Sequence, residues 1–575
     1  MTISQSSRNL GDLFHRVCDH YNQKIGAMYR DGKDFHSLRF AEIHERVRIF
    51  ASALDSLGFK KGDTLAILAE SSIDWAHTDW AAQTLGIITV PIYPTLMPDQ
   101  IEYILKDSGT KAVAVGSKEL ASKVRDLPIY GIRSIEGLES LQDVAPNALL
   151  DVQEWRQISE TIDREDVATI IYTSGTTGDP KGAVLPHRCF LSLTDGIQQS
   201  LPIDEKDTFL SFLPLSHVFE RFAGHVLPLS VGAIVAYSGG LMTLTKDMVA
   251  VRPTVMLLVP RLLEAIRDRI LDGVKKESKF KQWLFSRALA AGLKRQQGGH
   301  PFLGGLLDSL VGAKIREKTG GRIRFFVSGA APLSPSVSEF YIAFGLNVLQ
   351  GYGLTETMAA TAVNHPDRND PKTVGEPIMG MEVAIASDGE ILIRGPGVMK
   401  GYLNLPQATA EAIDQEGWFH SGDIGEFEGK KLKITDRKKD LLILANGKNV
   451  APQPIENKLK FSEYIAEAVL FGDQMESVCA LIVPNFERLK SFAKEHNLIS
   501  KDDEELVSLP EIKKLLKDEI TEVNKSLADF EKVKRYEVLS QQFSEATGEL
   551  TPTLKVKRKV VRTKYAEVIA RMERS

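Results

Sequence analysis

Between residues 62 and 127 the chain switches repeatedly between two hydrophobic periods. The runs "TLAIL" (64–68), "IITVPIY" (87–93) and "KAVAV" (111–115) are short and almost wholly apolar, the pattern of strands covered on both faces. "SSIDWAHTDWAAQTLG", "PDQIEYILKDSG" and "KELASKVRDL", which follow them in turn, are longer and mixed, and predict helices. The order βαβαβα predicts a parallel sheet flanked by helices. The same rhythm returns in "VATIIYT" (167–173), "TVMLLVP" (254–260) and "RIRFFVSG" (322–329), each read as a strand. No repeat of fixed period and no low-complexity segment interrupts it.

Residues 262–320 read as mostly helical. Between Lys275 and Lys318 ten Lys/Arg face three acids, with Trp, Phe and Leu interleaved in "KFKQWLFSRALAAGLKR". Two readings are open: an amphipathic helix on an anionic membrane surface, or a solvated insertion whose apolar side packs on the domain. A second change of character falls at "KLKITDRKKDLLILANGKN", where a charged cluster, Asp436 to Asp440, parts two short strand-like runs. Beyond it come the strands "EAVLFGD" and "CALIVPN" and the charged helices "KEHNLISKDDEEL" and "PEIKKLLKDEITEVNKSLADF". The expected organisation is a large domain (1–436), a hinge (437–440) and a small α+β domain (441–575).

Composition narrows the function. The 575 residues are 43% hydrophobic and 26% charged with net charge −5, which points to two or more soluble domains and away from a nucleic-acid partner. Cys18, Cys189 and Cys479 form no CxxC pair, so neither a disulfide framework nor a zinc site is suggested, and a reducing, cytoplasmic setting is expected. The N-terminus lacks an apolar signal-peptide core, and the longest apolar runs contain prolines and fall short of the roughly 18 residues of a membrane span.

The strand "VATIIYT" empties into "YTSGTTGDPKG" (172–182), three glycines and four Ser/Thr hydroxyls beside one lysine. Small side chains let backbone N–H groups approach phosphate oxygens, and the lysine supplies charge. The loop is not a Walker A motif: Pro180 precedes Lys181 and Gly182 follows it, so the magnesium-binding hydroxyl is missing. No GxGxxG opens a helix after a strand.

"YTSGTTGDPKGA" resembles the phosphate loop of the adenylate-forming superfamily. Further segments follow in that superfamily's order: "GYGLTET" (351–357), "GWFHSGDIG" (417–425), "ITDRKKDLLILANGKNVAPQPIE" (434–456) and "TPTLKVKR" (551–558). "LPLSHVFER" (213–221), "VAPQPIE" and "LTPTLKVKR" are most similar to the long-chain fatty acyl-CoA synthetase branch. The resemblance implies an α/β fold: a large N-terminal domain of parallel-sheet αβα subdomains plus a small β-barrel, and a small mobile C-terminal domain.

It also implies a two-step reaction. A fatty acid carboxylate attacks the α-phosphorus of ATP to give acyl-AMP and pyrophosphate; coenzyme A, or in an alternative reading a carrier-protein thiol, then displaces AMP. On this pattern Thr173, Ser174, Gly175, Thr176, Thr177, Gly178 and Lys181 cradle the β- and γ-phosphates, and Glu356 with Thr173 holds Mg²⁺. Tyr352, Thr355 and the backbone at Gly329 and Ala330 contact adenine, while Asp423 binds the ribose with support from Arg437. Lys555 bridges the attacking carboxylate and the α-phosphate, although Lys557 and Lys559 share its face if the segment is extended. His217 lies near the acyl pocket. In several relatives an aromatic gate stands four residues past that histidine; here the position is Arg221. Glu220 stands near where an amino-acid-activating relative places its amine-binding acid. Peripheral association with an anionic membrane and a homodimer complete the expected partners.

Overall fold

The computed structural model describes residues 2–144, 148–173, 179–296, 298–301, 303–544, 546–551 and 556–574. Two large sheets dominate the first 437 residues. The first has seven strands, and its centre carries the predicted βαβαβ: Thr64–Leu68 lies between Ile88–Ile92 and Ala112–Val115, all parallel. Helices Ile73–Leu85 and Pro98–Asp107 connect them. The third predicted helix is cut short at Lys118–Ala121, and a strand Ile129–Gly131 follows. Asp126 turns into the left-handed region and Pro128 biases its predecessor away from helix, so the pattern cannot continue.

Val167–Thr173 pairs with this sheet too, but antiparallel to a strand that local pattern did not announce, Lys181–Pro186. Val167–Thr173 and Lys181–Pro186 therefore form an antiparallel pair, with Thr173 opposite Lys181. Gly182 is required there: a Cβ on it would lie 2.8 Å from Ile170 and 3.0 Å from the Tyr172 ring.

The second sheet has nine strands. Thr208–Ser211, Val255–Leu258, Phe325–Ser328 and Asn347–Tyr352 run parallel at its centre. Phe209, Val255, Leu257 and Val327 point into the core shared with the first sheet, while Leu210, Met256, Leu258 and Phe326 point to the opposite face. Helices Pro260–Lys275 and Lys279–Gln296 pack on that opposite face through Leu263, Phe285 and Ala288. The basic insertion is thus a packed helical layer, although Phe280 and Trp283 remain 68% and 53% exposed. Among the described residues no helix is long and apolar enough to cross a membrane.

A four-stranded antiparallel sheet follows, Glu382–Ile385, Glu390–Arg394, Phe419–Glu428 and Lys431–Arg437. From Leu442 onward the chain builds cores of its own around the sheet Ile465–Phe471, Cys479–Pro484 and Arg535–Val538. The helix expected over "KEHNLISKDDEEL" is broken: Phe486–Glu495 ends there, Asn497 adopts a left-handed turn, and Asp503–Ser508 begins afresh behind the Asp502 cap.

Candidate active site

The parallel strands of the nine-stranded sheet end together, and a cleft of about 2460 Å³ opens above them. Thr173, Lys181, His217, Gly329, Ala330, Tyr352, Thr355, Glu356, Asp423 and Arg437 all line it, although they come from five separate stretches of chain. Ser174, Gly175, Thr176, Thr177, Gly178 and Lys555 lie outside the described residues.

Glu356 sits in a 3₁₀ turn, Thr355–Thr357, directly past strand Asn347–Tyr352. The turn is tight. Met358 and Ala359 both take positive φ, and a Cβ on Gly353 would meet the Ala359 carbonyl carbon at 2.2 Å. Glu356 Oε1 accepts a 2.7 Å hydrogen bond from the Tyr402 hydroxyl, and the Lys181 ammonium stands 5.0 Å from the Tyr402 ring centre. Tyr402 is brought there by the two-residue strand Gly401–Tyr402, which pairs with Ala183 and Val184 of strand Lys181–Pro186. Sequence reasoning missed this residue; "KGYLN" carries no periodic signal, and only the pairing reveals it. Burial and the neighbouring Glu356 both push its phenol pKa up.

One carboxylate plus the Thr173 hydroxyl is a donor set suited to Mg²⁺, which takes one or two carboxylates and completes its shell with phosphate oxygens and water. No cluster of three or more acidic, His or Cys ligands occurs among the described residues.

Asp423 and Arg437 are cross-strand partners in the antiparallel sheet. Arg437 Nε lies 3.1 Å from Asp423 Oδ1, and the Tyr352 hydroxyl donates to Oδ2 at 2.6 Å. Each oxygen keeps a further lone pair for a ligand hydroxyl. Burial, then Asp423, raises the Tyr352 phenol well above its ordinary value, so it remains a donor. Beside this group the Gly329–Ala330 backbone turns sharply, with Ala330 at φ 67°.

His217 Nδ1 accepts a 3.1 Å hydrogen bond from the Phe219 N–H, which puts the proton of a neutral ring on Nε2. Phe219 lines the cleft and closes on Gly329, where a Cβ would come within 3.0 Å of its ring. The gate position is different. Arg221 is 0% exposed and turned into the core, where it pairs with both oxygens of Asp79 at 2.9 and 2.6 Å. Glu220 is buried as well and does not line the cleft. An amine anchor at Glu220 is therefore excluded by its position.

The model of the AMP-binding enzyme family matches residues 14–403, and that of the AMP-binding enzyme C-terminal domain matches residues 439–575. The chain belongs to the AMP-binding enzyme family. Within it, the chain is 33% identical to Long chain acyl-CoA synthetase 6, peroxisomal, of Arabidopsis thaliana, over 97% of this chain and 85% of that relative. It is 32% identical to a long-chain-fatty-acid–CoA ligase of Mycobacterium bovis, over 92% of this chain and 91% of the relative. The o-succinylbenzoate CoA synthetase of Bacillus subtilis, solved with its acyl-adenylate intermediate, shares the fold of this AMP-binding enzyme at TM-score 0.71 and 20% identity, covering 97% of this chain and 98% of that one.

Proposed function

We propose that the chain is a long-chain-fatty-acid–CoA ligase that joins a fatty acid to AMP and then passes the acyl group to coenzyme A, releasing AMP and pyrophosphate. One observation carries the reading. The cleft that holds Tyr352, Asp423, Arg437 and Glu356 continues into an apolar arm lined by Phe209, Phe222, Leu257 and Val327, so polar nucleotide contacts and alkyl contacts share one cavity.

Displacement at phosphorus asks mainly for positioning and charge stabilisation. Lys181 and the loop 174–178 hold the departing pyrophosphate. Asp423, braced by Arg437 and Tyr352, accepts from the ribose hydroxyls. Mg²⁺ held by Glu356 and Thr173 neutralises phosphate charge when bound. Lys555 bridges the incoming carboxylate and the α-phosphate, and His217 borders the acyl entrance. Residues 441–575 act as a mobile unit turning on 437–440. Contact of the basic helical layer with an anionic membrane is part of the proposal, with Lys276, Lys279, Phe280 and Trp283 facing the lipid.

Pyrophosphate exchange with a panel of carboxylic acids, followed by CoA or a carrier protein in parallel, tests the reaction and its acceptor. Lys555→Ala loses exchange yet still converts supplied acyl-adenylate to thioester; equal loss of both halves removes the lysine from its role. Lys276→Glu with Lys279→Glu reduces binding to vesicles rich in anionic lipid, and unchanged binding refutes the membrane contact.

A further inference from the structure

The apolar arm has a measurable depth and a definite end. Ile197, Leu201, Ile203, Phe209, Leu227 and Val255 line it, yet none of them is more than 8% exposed, so this part of the cleft is interior space. Strand register gives the depth. Val255 pairs with Phe325 on one side and Phe209 on the other, and Gly329 stands four residues beyond Phe325. Those four residues span about 13 Å at roughly 3.3 Å each. An extended alkyl chain advances about 1.3 Å per carbon, given C–C bonds near 1.5 Å. About ten carbons therefore fit between the Gly329 level and the level of Phe209 and Val255.

What lies past that level is a turn one residue thick. Leu201 and Ile203 are buried, while the alternate residues Pro202 and Asp204 face solvent. The turn is held down by Arg324. Its Nη1 donates to both Asp207 carboxylate oxygens at 2.7 and 2.8 Å, and its Nη2 donates to the Pro202 carbonyl at 2.5 Å. The Thr254 hydroxyl, next to Val255, donates to the same aspartate at 2.6 Å. Side-chain volume at this floor meets the end of any chain long enough to reach it.

We infer that Ile203, with Leu201, Phe209 and Val255 around it, is the floor that sets acyl chain length, and that the Asp207–Arg324 pair positions it. The inference rests on the fatty-acid reading above. Its test is kcat/KM for straight-chain acids of 8 to 18 carbons, read as AMP release, in wild type, Ile203→Trp, Val255→Phe, Ile203→Ala and Arg324→Ala. Each methylene kept out of an apolar site forfeits about fourfold in affinity. The two filling variants are therefore expected to lose at least tenfold on acids of 10 or more carbons, whose ends reach the floor, and to keep the 8-carbon acid within about twofold. Ile203→Ala moves the optimum to longer acids, and Arg324→Ala broadens the profile without lowering turnover of the 8-carbon acid. A wild type that activates no acid overturns the reaction and the floor together. A wild type that is active, with variants that lose all lengths equally or none, overturns the floor alone; Ile203→Ala decides the point even if a filling variant does not fold.

Discussion

Glu220 shows how much one side chain can govern. It is 1% exposed, and burial pushes its pKa up to about 8 against the opposing pull of the nearby Ser211 hydroxyl. An acid whose folded pKa exceeds its unfolded value of about 4.3 binds more protons in the folded state between those two values. Stability from this group is full below about pH 4, falls as pH rises through that window, and levels off above about 8. Glu220→Gln should match wild type near pH 4 and exceed it by at least about 1 kcal/mol at pH 9, compared by urea midpoint. A difference that does not change with pH would mean the carboxyl ionises normally. Asp436, pushed up to about 7 by burial, adds a drift of the same sign in wild type and variant alike. Tyr402 is the second informative residue. Removing its hydroxyl in Tyr402→Phe frees Glu356, and the loss of a hydrogen bond to a charged group predicts about a tenfold fall in kcat/KM for ATP at limiting Mg²⁺. Higher Mg²⁺ should restore part of it; a loss indifferent to Mg²⁺ would mean that Tyr402 does not act through the proposed metal ligand Glu356.

Among elements, the π-helix Glu220–Val226 joins the two large sheets. Arg221 reaches from it to Asp79 on helix Ile73–Leu85, to Thr89 on strand Ile88–Ile92 at 2.8 Å, and to Thr169 on strand Val167–Thr173 at 2.6 Å. Breaking such a buried pair strands a charge and costs about 3–5 kcal/mol, whereas replacing both partners by apolar groups costs far less. Arg221→Met alone should therefore unfold at markedly lower urea than Asp79→Leu with Arg221→Met; equal midpoints would mean the pair carries no coupling. Local pattern located the strands Thr64–Leu68, Ile88–Ile92 and Ala112–Val115 because each is apolar on both faces and bounded by turns. It missed the N-terminal hairpin Ile25–Asp31 and Asp34–Arg39, which is half-exposed and pairs with Ile234–Tyr237 some 200 residues away. The motifs name Tyr352, Glu356, Asp423 and Arg437, and all four line one cleft: the first two lie at and past the end of strand Asn347–Tyr352, the other two face each other across paired antiparallel strands. The role of Arg221 was not legible for the opposite reason: its partner Asp79 is 142 residues distant, and nothing local announces a buried ion pair at that position.

At the scale of the whole molecule, helix Pro260–Lys275 is the surface on which the C-terminal residues rest. Arg261 pairs with Glu467, Lys275 with Glu463 at 2.7 Å, and Arg488 with Asp272. Lys557, Arg558 and Lys559, just past the proposed Lys555, line the cleft in this arrangement. The proposed rotation about residues 437–440 must break all three ion pairs, so they favour the orientation that turns the 556–562 segment toward the nucleotide site. Partly exposed pairs contribute only about 0–1 kcal/mol each and weaken with salt. Arg261→Ala with Arg488→Ala should accordingly slow pyrophosphate exchange about two- to fivefold while leaving conversion of supplied acyl-adenylate to thioester unchanged or faster. Raising salt should do the same to wild type and do little more to the variant. Were both half-reactions to slow together, or were salt to act on the variant as strongly as on wild type, these contacts would be packing without influence on the turn between the two steps.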